Sequence, residues 1–201
     1  MNPFPGPDRP AEPNRLLVRY LAGQVSLEVA AAEYAQLWIE WLQAGELRSS
    51  PALGNATDVD NLSEADAKKT HALLQRVTSI LEDYETKKGA REYLSSAGNS
   101  EFDQAVRRLA DDVKATLGEQ QVAVVWRFAA HARTLDIEDA SSMRDRCVED
   151  VQQYFQDTFV DTTWPACSRH PNHPLDFADG TWQCPRDRAP IARLGELGSP
   201  S

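Results

Sequence analysis

The chain has 201 residues, of which 41% are hydrophobic and 26% are charged, and its formal net charge at pH 7 is −10. This length allows one domain, or a helical domain with a small appendage. The excess of acidic residues disfavours nucleic acid as a partner, because phosphate binding needs a dense basic face. No apolar run is long enough to span a bilayer, and residues 1–13 lack the apolar core of a signal peptide. We therefore expect a cytoplasmic protein without a membrane partner.

The chain divides by composition into three segments. Residues 1–13 are rich in proline and are predicted to be a disordered lead-in. Residues 14–160 carry apolar side chains at helical spacing, which predicts a mainly α fold with a bundle of about five to six helices. Residues 161–201 are predicted to form a small C-terminal module with a β-hairpin. The bias toward Ala, Arg and Asp is typical of a high-GC bacterium.

The helices are delimited by capping residues. Ser26, Ser63, Ser100 and Asp136 are the predicted N-caps of the main helices, because a short polar side chain at that position accepts a hydrogen bond from a free backbone amide. Residues 48–61 are predicted to be a loop. Helical spacing places a short helix at residues 15–22 and the main helices at residues 27–44, 64–88, 101–117, 119–133 and 137–160, with two further helical turns over 90–97.

Three features of the helical segments bear on function. Trp38 and Trp41 lie one turn apart on the helix over 27–44, where their spacing favours core packing over a ligand pocket. That aromatic face either closes the core of the chain or pairs with a second copy in a homo-oligomer. His71 is expected to be a packing residue on an apolar face, and Cys147 is expected to be a half-buried thiol.

Two cysteines and two histidines are concentrated near the end of the chain. Cys167 and His170 are separated by two residues, His173 follows at the same interval, and Cys184 comes eleven residues later. Thiolate and imidazole are the ligands that zinc prefers, and structural sites draw four of them from sharply turned backbone. This spacing predicts a zinc site.

The residues between His173 and Cys184 predict a β-hairpin. A short strand over 175–177 and a second strand over 181–183 flank an Asp-Gly turn signal. The hairpin would return Cys184 to the neighbourhood of Cys167. A metal-binding turn (knuckle) at Cys167 to His170, the hairpin, and a second knuckle that begins at Cys184 follow one another in this order. In this respect the segment is similar to the zinc ribbons. The usual zinc-ribbon pattern has four cysteines. The resemblance covers about the last forty residues, and no family is recognised for the helical body.

The identity of the fourth ligand stays open between two residues. Asp187 stands where the second knuckle of a zinc ribbon often has its second cysteine, so it is the alternative to His173 as the fourth ligand. Imidazole suits zinc better than a single carboxylate, which favours His173. Two other interpretations need no metal: Cys167 and Cys184 form a disulfide, or both are free thiols in a proline-rich tail.

Three functions are compatible with these features. The first is a non-enzymatic interaction or adaptor protein with a structural zinc site, whose protein partner binds the C-terminal module through an exposed hairpin carrying Phe177 and Trp182. The second is a zinc-dependent hydrolase with an open metal position and Asp176 or Asp187 as general base, although the motifs of metalloproteases and zinc deaminases are missing. The third is a nucleic-acid-binding ribbon that uses Trp182 and several arginines, namely Arg169, Arg186 and Arg188.

Overall fold

The computed structural model describes residues 11–44, 63–158, 160–170 and 173–198. Residues 1–10 of the predicted lead-in lie outside these ranges, and so does the predicted loop over 48–61. Within these ranges the chain forms six α-helices, one short 3₁₀ helix and a three-stranded antiparallel sheet, which confirms the mainly α fold. No helix in the same ranges is both long and apolar enough to cross a membrane.

The helices and strands follow one another along the chain with the sheet at the end. The elements are α1 (Ala11–Leu21), α2 (Leu27–Gln43), α3 (Glu64–Ser96), α4 (Glu101–Leu117), the 3₁₀ helix (Glu119–Gln121), α5 (Val122–Ala132), α6 (Ala140–Asp157), β1 (Asp176–Ala178), β2 (Thr181–Gln183) and β3 (Pro190–Arg193).

Two compact units divide the chain, one over residues 1–84 and the other over residues 85–201. The first unit contains α1, α2 and the first part of α3. Trp38 and Trp41 are 2% and 4% exposed and meet edge to face in the core of this unit. The prediction that they are core residues is confirmed, while pairing of α2 with a second copy stays a prediction.

The second unit contains the rest of α3, the helices α4 to α6 and the C-terminal sheet. Its core is continuous from the helices into the C-terminal segment: Val113, Val151 and Phe155 belong to the same buried cluster as Trp164 and Trp182. The tail is thus part of the packed interior of this unit.

Three predicted N-caps are confirmed. The hydroxyl groups of Ser26, Ser63 and Ser100 accept hydrogen bonds from the amides of the third residue after each, and Ser100 forms a reciprocal capping box with Asp103. The cap of α6 was predicted wrongly, because Asp139 rather than Asp136 accepts the bond from the Ser142 amide, at 2.7 Å. The helix α6 therefore begins three residues later than predicted.

The predicted break near residue 89 does not occur, and α3 runs through it. Gly89 lies within this helix, and a Cβ atom there would stand 2.9 Å from the Cα of Arg127 on α5. The glycine thus permits close approach of two helices rather than ending one. Two side chains also differ from expectation, since His71 is exposed and Cys147 is fully buried, where burial raises the pKa of its thiol to about 12.

The predicted hairpin is present, and a third strand extends it. Phe177 of β1 pairs with Trp182 of β2, and the turn between the strands contains Asp179 and Gly180, both with positive φ as the Asp-Gly signal indicates. The sheet order is β1-β2-β3, and β3 was not predicted. This sheet brings Cys184, the residue after β2, back toward the start of the module.

Candidate metal centre

The predicted ligands Cys167 and His173 lie on two short backbone segments that pair antiparallel. The Cys167 amide donates to the His173 carbonyl at 3.2 Å, and the Leu175 amide donates to the Pro165 carbonyl at 2.7 Å. A β-bridge between Ala166 and Pro174 lies between these two bonds. This short ladder holds Cys167 and His173 opposite each other.

The fourth ligand residue lies at the start of a second turn. The Cys184 amide donates to the Ala189 carbonyl at 2.9 Å, and the Arg188 amide donates to the Cys184 carbonyl at 2.8 Å. Arg188 takes a positive φ of 56° to close the turn. This turn lies where the spacing predicts the second knuckle.

The structure brings the four predicted residues together. One ligand atom from each of Cys167, His170, His173 and Cys184 can be chosen so that all four lie within 4.8 Å of one another. The Nδ1 atom of His170 is 3.2 Å from the Sγ atom of Cys184. Zinc–sulfur and zinc–nitrogen bonds of about 2.3 and 2.0 Å give a tetrahedral edge of about 3.5 Å between such atoms. The His170–Cys184 pair is close to that spacing, and pairs near the 4.8 Å limit would move closer together around one ion.

The environment of the cluster also fits a metal ion. Cys167 and Cys184 are 3% and 0% exposed, and both histidines are half-buried. All three cysteines of the chain are free, so the disulfide interpretation does not hold in this structure. Two buried thiols beside two imidazoles are a donor set suited to zinc.

His173 is arranged as a metal ligand usually is. Its Nδ1 atom lies 2.9 Å from the Pro174 carbonyl oxygen, which can only accept, so Nδ1 carries the proton. The Nε2 atom then has a free lone pair, and it is buried without a hydrogen-bond partner among the described residues. Metal-binding histidines commonly donate their second N–H to a carbonyl, which fixes the ring and its tautomer.

The carboxylate of Asp187, the alternative fourth ligand, already has several partners beside the cluster. Its carboxylate pairs with the Arg169 guanidinium at 2.9 Å and accepts from the Ala189 amide at 3.1 Å. Hydrogen bonds from this amide and from the Cys184 thiol hold the pKa of Asp187 below its usual range. Asp176, proposed as a general base, likewise pairs with Arg188 at 3.4 Å.

The aromatic residues predicted to form a docking face pack inward. Trp182 is fully buried, and Phe177 contacts it edge to face with ring centroids 5.0 Å apart. The guanidinium of Arg144 lies over the Phe177 ring. Trp182 therefore cannot stack on a nucleic-acid base in this conformation, and it is withdrawn from the predicted docking face.

Polar residues that sequence reasoning missed anchor the module to the helices. Gln152 of α6 donates to the Leu175 carbonyl at 2.8 Å. Asp112 of α4 accepts from the Trp182 indole at 2.8 Å. Asp112 lies three residues after Leu109 on the apolar side of α4. A carboxylate at an apolar position of a helix indicates a buried hydrogen-bonding role, and this signal could have identified Asp112 from the sequence.

The Cys₂His₂ cluster and the small antiparallel sheet beside it are consistent with a zinc module. No family is assigned to the chain, and the resemblance to zinc ribbons rests on these residues alone. No family model, curated protein or solved structure matches the chain.

Proposed function

We propose that Cys167, His170, His173 and Cys184 bind one Zn²⁺ with a structural role, and that the chain is a non-enzymatic interaction protein. The observation that carries the metal assignment is the convergence of one ligand atom from each of the four residues within 4.8 Å. The Nε2 atom of His173, which is buried without a hydrogen-bond partner among the described residues, supports it. Zinc would neutralise two thiolates in a place where an uncompensated charge is costly.

The structural role follows from the number and burial of the ligands. Four protein ligands complete a tetrahedral site, whereas catalytic zinc usually has three and keeps a position for water. Both sulfur atoms belong to residues in the core of the second unit. A metal held there stabilises the packing of the tail, and this favours a structural site over a hydrolase.

The interaction role rests on what the module presents outward. Arg169, Arg186 and Arg188 are exposed on the two knuckles, next to a cluster that would be neutral with zinc bound. Arg169 and Arg188 already pair with Asp187 and Asp176, so an acidic protein segment would bind here by competing with these two carboxylates for the guanidinium groups. This surface replaces the hairpin aromatics as the candidate docking face.

Metal content is the first test of the proposal. We expect about one zinc per chain in untagged protein by elemental analysis, and much less in Cys184→Ser. Cys147→Ala is the matched control, because it removes the third cysteine, which lies on α6 outside the cluster. Equal and near-zero zinc in the wild type and in Cys184→Ser would overturn the proposal.

Exchange of zinc for Co²⁺ separates the structural role from the hydrolase. A closed tetrahedral site has no exchangeable water, so azide should leave the visible cobalt spectrum unchanged. A spectrum that shifts with azide in a saturable way would show an open position and would favour the hydrolase.

A further inference from the structure

Two residues of α4 each hold one tryptophan of the C-terminal module. The Trp182 indole N–H donates to the Asp112 carboxylate at 2.8 Å, and the Trp164 indole N–H donates to the Thr116 hydroxyl at 2.9 Å. Asp112 and Thr116 are four residues apart, so they lie on the same face of the helix. One stretch of α4 thus contacts both halves of the module.

Each of these tryptophans lies just before a cysteine of the cluster. Trp164 precedes Cys167 by three residues, and Trp182 precedes Cys184 by two. Both rings are fully buried and meet edge to face, with centroids 5.7 Å apart. A shift of either ring along α4 would carry the neighbouring sulfur atom with it.

Asp112 accepts hydrogen bonds from other parts of the module besides the Trp182 indole. This fully buried carboxylate also accepts from the Gly195 amide and the Leu197 amide, both at 2.8 Å. Burial raises the pKa of Asp112, and the three N–H donors oppose that shift. A buried carboxylate is costly unless such partners are fixed, so these bonds tie β2 and the segment after β3 to one point on α4.

Thr116 is oriented by its own helix. Its hydroxyl donates to the Asp112 carbonyl at 2.6 Å, so its oxygen lone pairs are free to accept from Trp164. The hydroxyl is therefore a fixed acceptor.

We propose that Asp112 and Thr116 are positioning residues of the metal centre, which set the separation of the two cysteine sulfurs before the ion binds. The proposal rests on the zinc site proposed above. It predicts that zinc affinity depends on hydrogen bonds made on α4 by residues that do not touch the ion. A ligand pair fixed in advance needs less ordering on binding, which raises affinity.

The test is the zinc Kd of the full chain, measured by competition with a chromophoric chelator. Asp112→Asn should weaken zinc binding by about tenfold or more, because hydrogen bonds to a charged acceptor are the stronger ones. Thr116→Val removes one acceptor with little change of shape and should weaken binding by about fivefold. Trp182→Phe removes one donor and also leaves a cavity where the larger indole was, so it should weaken binding by about fivefold or more. Thr116→Val decides the question if the other variants do not fold.

Two controls separate positioning from general stability. Asp103→Asn removes another buried carboxylate of α4 that contacts Tyr93 and Arg133 instead of the module, so it should destabilise the fold yet leave the zinc Kd unchanged. Thr158→Val removes a helix-internal bond to the Tyr154 carbonyl like that of Thr116, but no contact with an indole. It should also leave the Kd unchanged.

The outcomes distinguish this proposal from the one on which it rests. A wild type without zinc affinity would overturn the proposed function. A wild type that binds zinc while Asp112→Asn, Thr116→Val and Trp182→Phe bind within about twofold of it would overturn the positioning role alone. An equal loss of affinity in Asp103→Asn and Asp112→Asn would also overturn it.

Discussion

His173 is the proposed ligand whose assignment depends most on details that only the fold provides. Its Nδ1 proton is directed to the Pro174 carbonyl, and its buried Nε2 atom has no partner among the described residues. The spacing of the sequence left His173 and Asp187 open, because both stand within reach of a knuckle. In the structure, Asp187 forms an ion pair with Arg169, and the two residues are distant in the sequence but close in space.

The fourth-ligand assignment predicts opposite results for two substitutions. His173→Ala should lower zinc content and weaken binding by about tenfold or more, because it removes an inner ligand. Asp187→Asn should keep about one zinc per chain, because it removes no proposed ligand and changes only the charge that pairs with Arg169 and accepts from the Ala189 amide and the Cys184 thiol. Elemental analysis of both variants checks this, and the reverse pattern would show that Asp187 is the ligand.

The environment of Asp103 predicts that the stability of the fold decreases in acid. Burial alone would raise the pKa of Asp103, but hydrogen bonds from Ser100, Tyr93 and Gly98 and the charge of Arg133 lower it from 3.8 to about 2. A carboxyl whose folded-state pKa is lowered stabilises the fold above its unfolded pKa, and this contribution is lost as pH falls from 3.8 toward 2.

Removal of this carboxylate should therefore reduce both stability and its dependence on pH. Asp103→Asn is expected to lower the free energy of unfolding at neutral pH by about 2 kcal/mol and to flatten its fall in acid. Urea unfolding across this pH range is the measurement. Asp111→Asn, at an exposed position of the same helix, should leave both unchanged, and equal effects of the two variants would refute the account.

At the scale of the elements, local chemistry was easier to predict than contacts between elements. The serine caps and the Asp-Gly hairpin turn depend on residues within a few positions of each other, so the sequence revealed them. The continuation of α3 through Gly89 depends on Arg127, which is 38 positions away in the sequence. The strand β3 was missed for the same reason, since its pairing with β2 rather than its composition defines it.

The close approach of α3 and α5 gives a prediction at this scale. Gly89→Val should lower the free energy of unfolding by about 1–3 kcal/mol, because its side chain would meet the Arg127 backbone and force the helices apart. Lys88→Val is the matched control at the neighbouring exposed position. Urea unfolding would contradict the account if both variants lost the same amount.

At the scale of the molecule, the C-terminal module is not separate from the helices that precede it. Trp164, Cys167, Trp182 and Cys184 lie in one buried cluster with the residues of α4 to α6. The predicted boundary at residue 161 follows composition, which changes there, whereas the packing continues across it. Loss of the metal is therefore expected to destabilise the core of the second unit.

Chelation tests this coupling. With free zinc at about 1,000 times its Kd, the metal should add about 4 kcal/mol to the free energy of unfolding, and a strong chelator should remove it. Tryptophan emission should shift to longer wavelength as Trp164 and Trp182 gain contact with water. Cys184→Ser should not respond to chelator, and an equal response of wild type and variant would contradict the coupling.

The central claim is that one zinc ion is held by two cysteine sulfurs and two histidine nitrogens. X-ray absorption at the zinc edge tests it most directly, because sulfur and nitrogen neighbours differ in distance and scattering. The account predicts two sulfur atoms at about 2.3 Å and two nitrogen atoms at about 2.0–2.1 Å. A first coordination sphere with one sulfur, or outer-shell scattering from fewer than two imidazole rings, would contradict it.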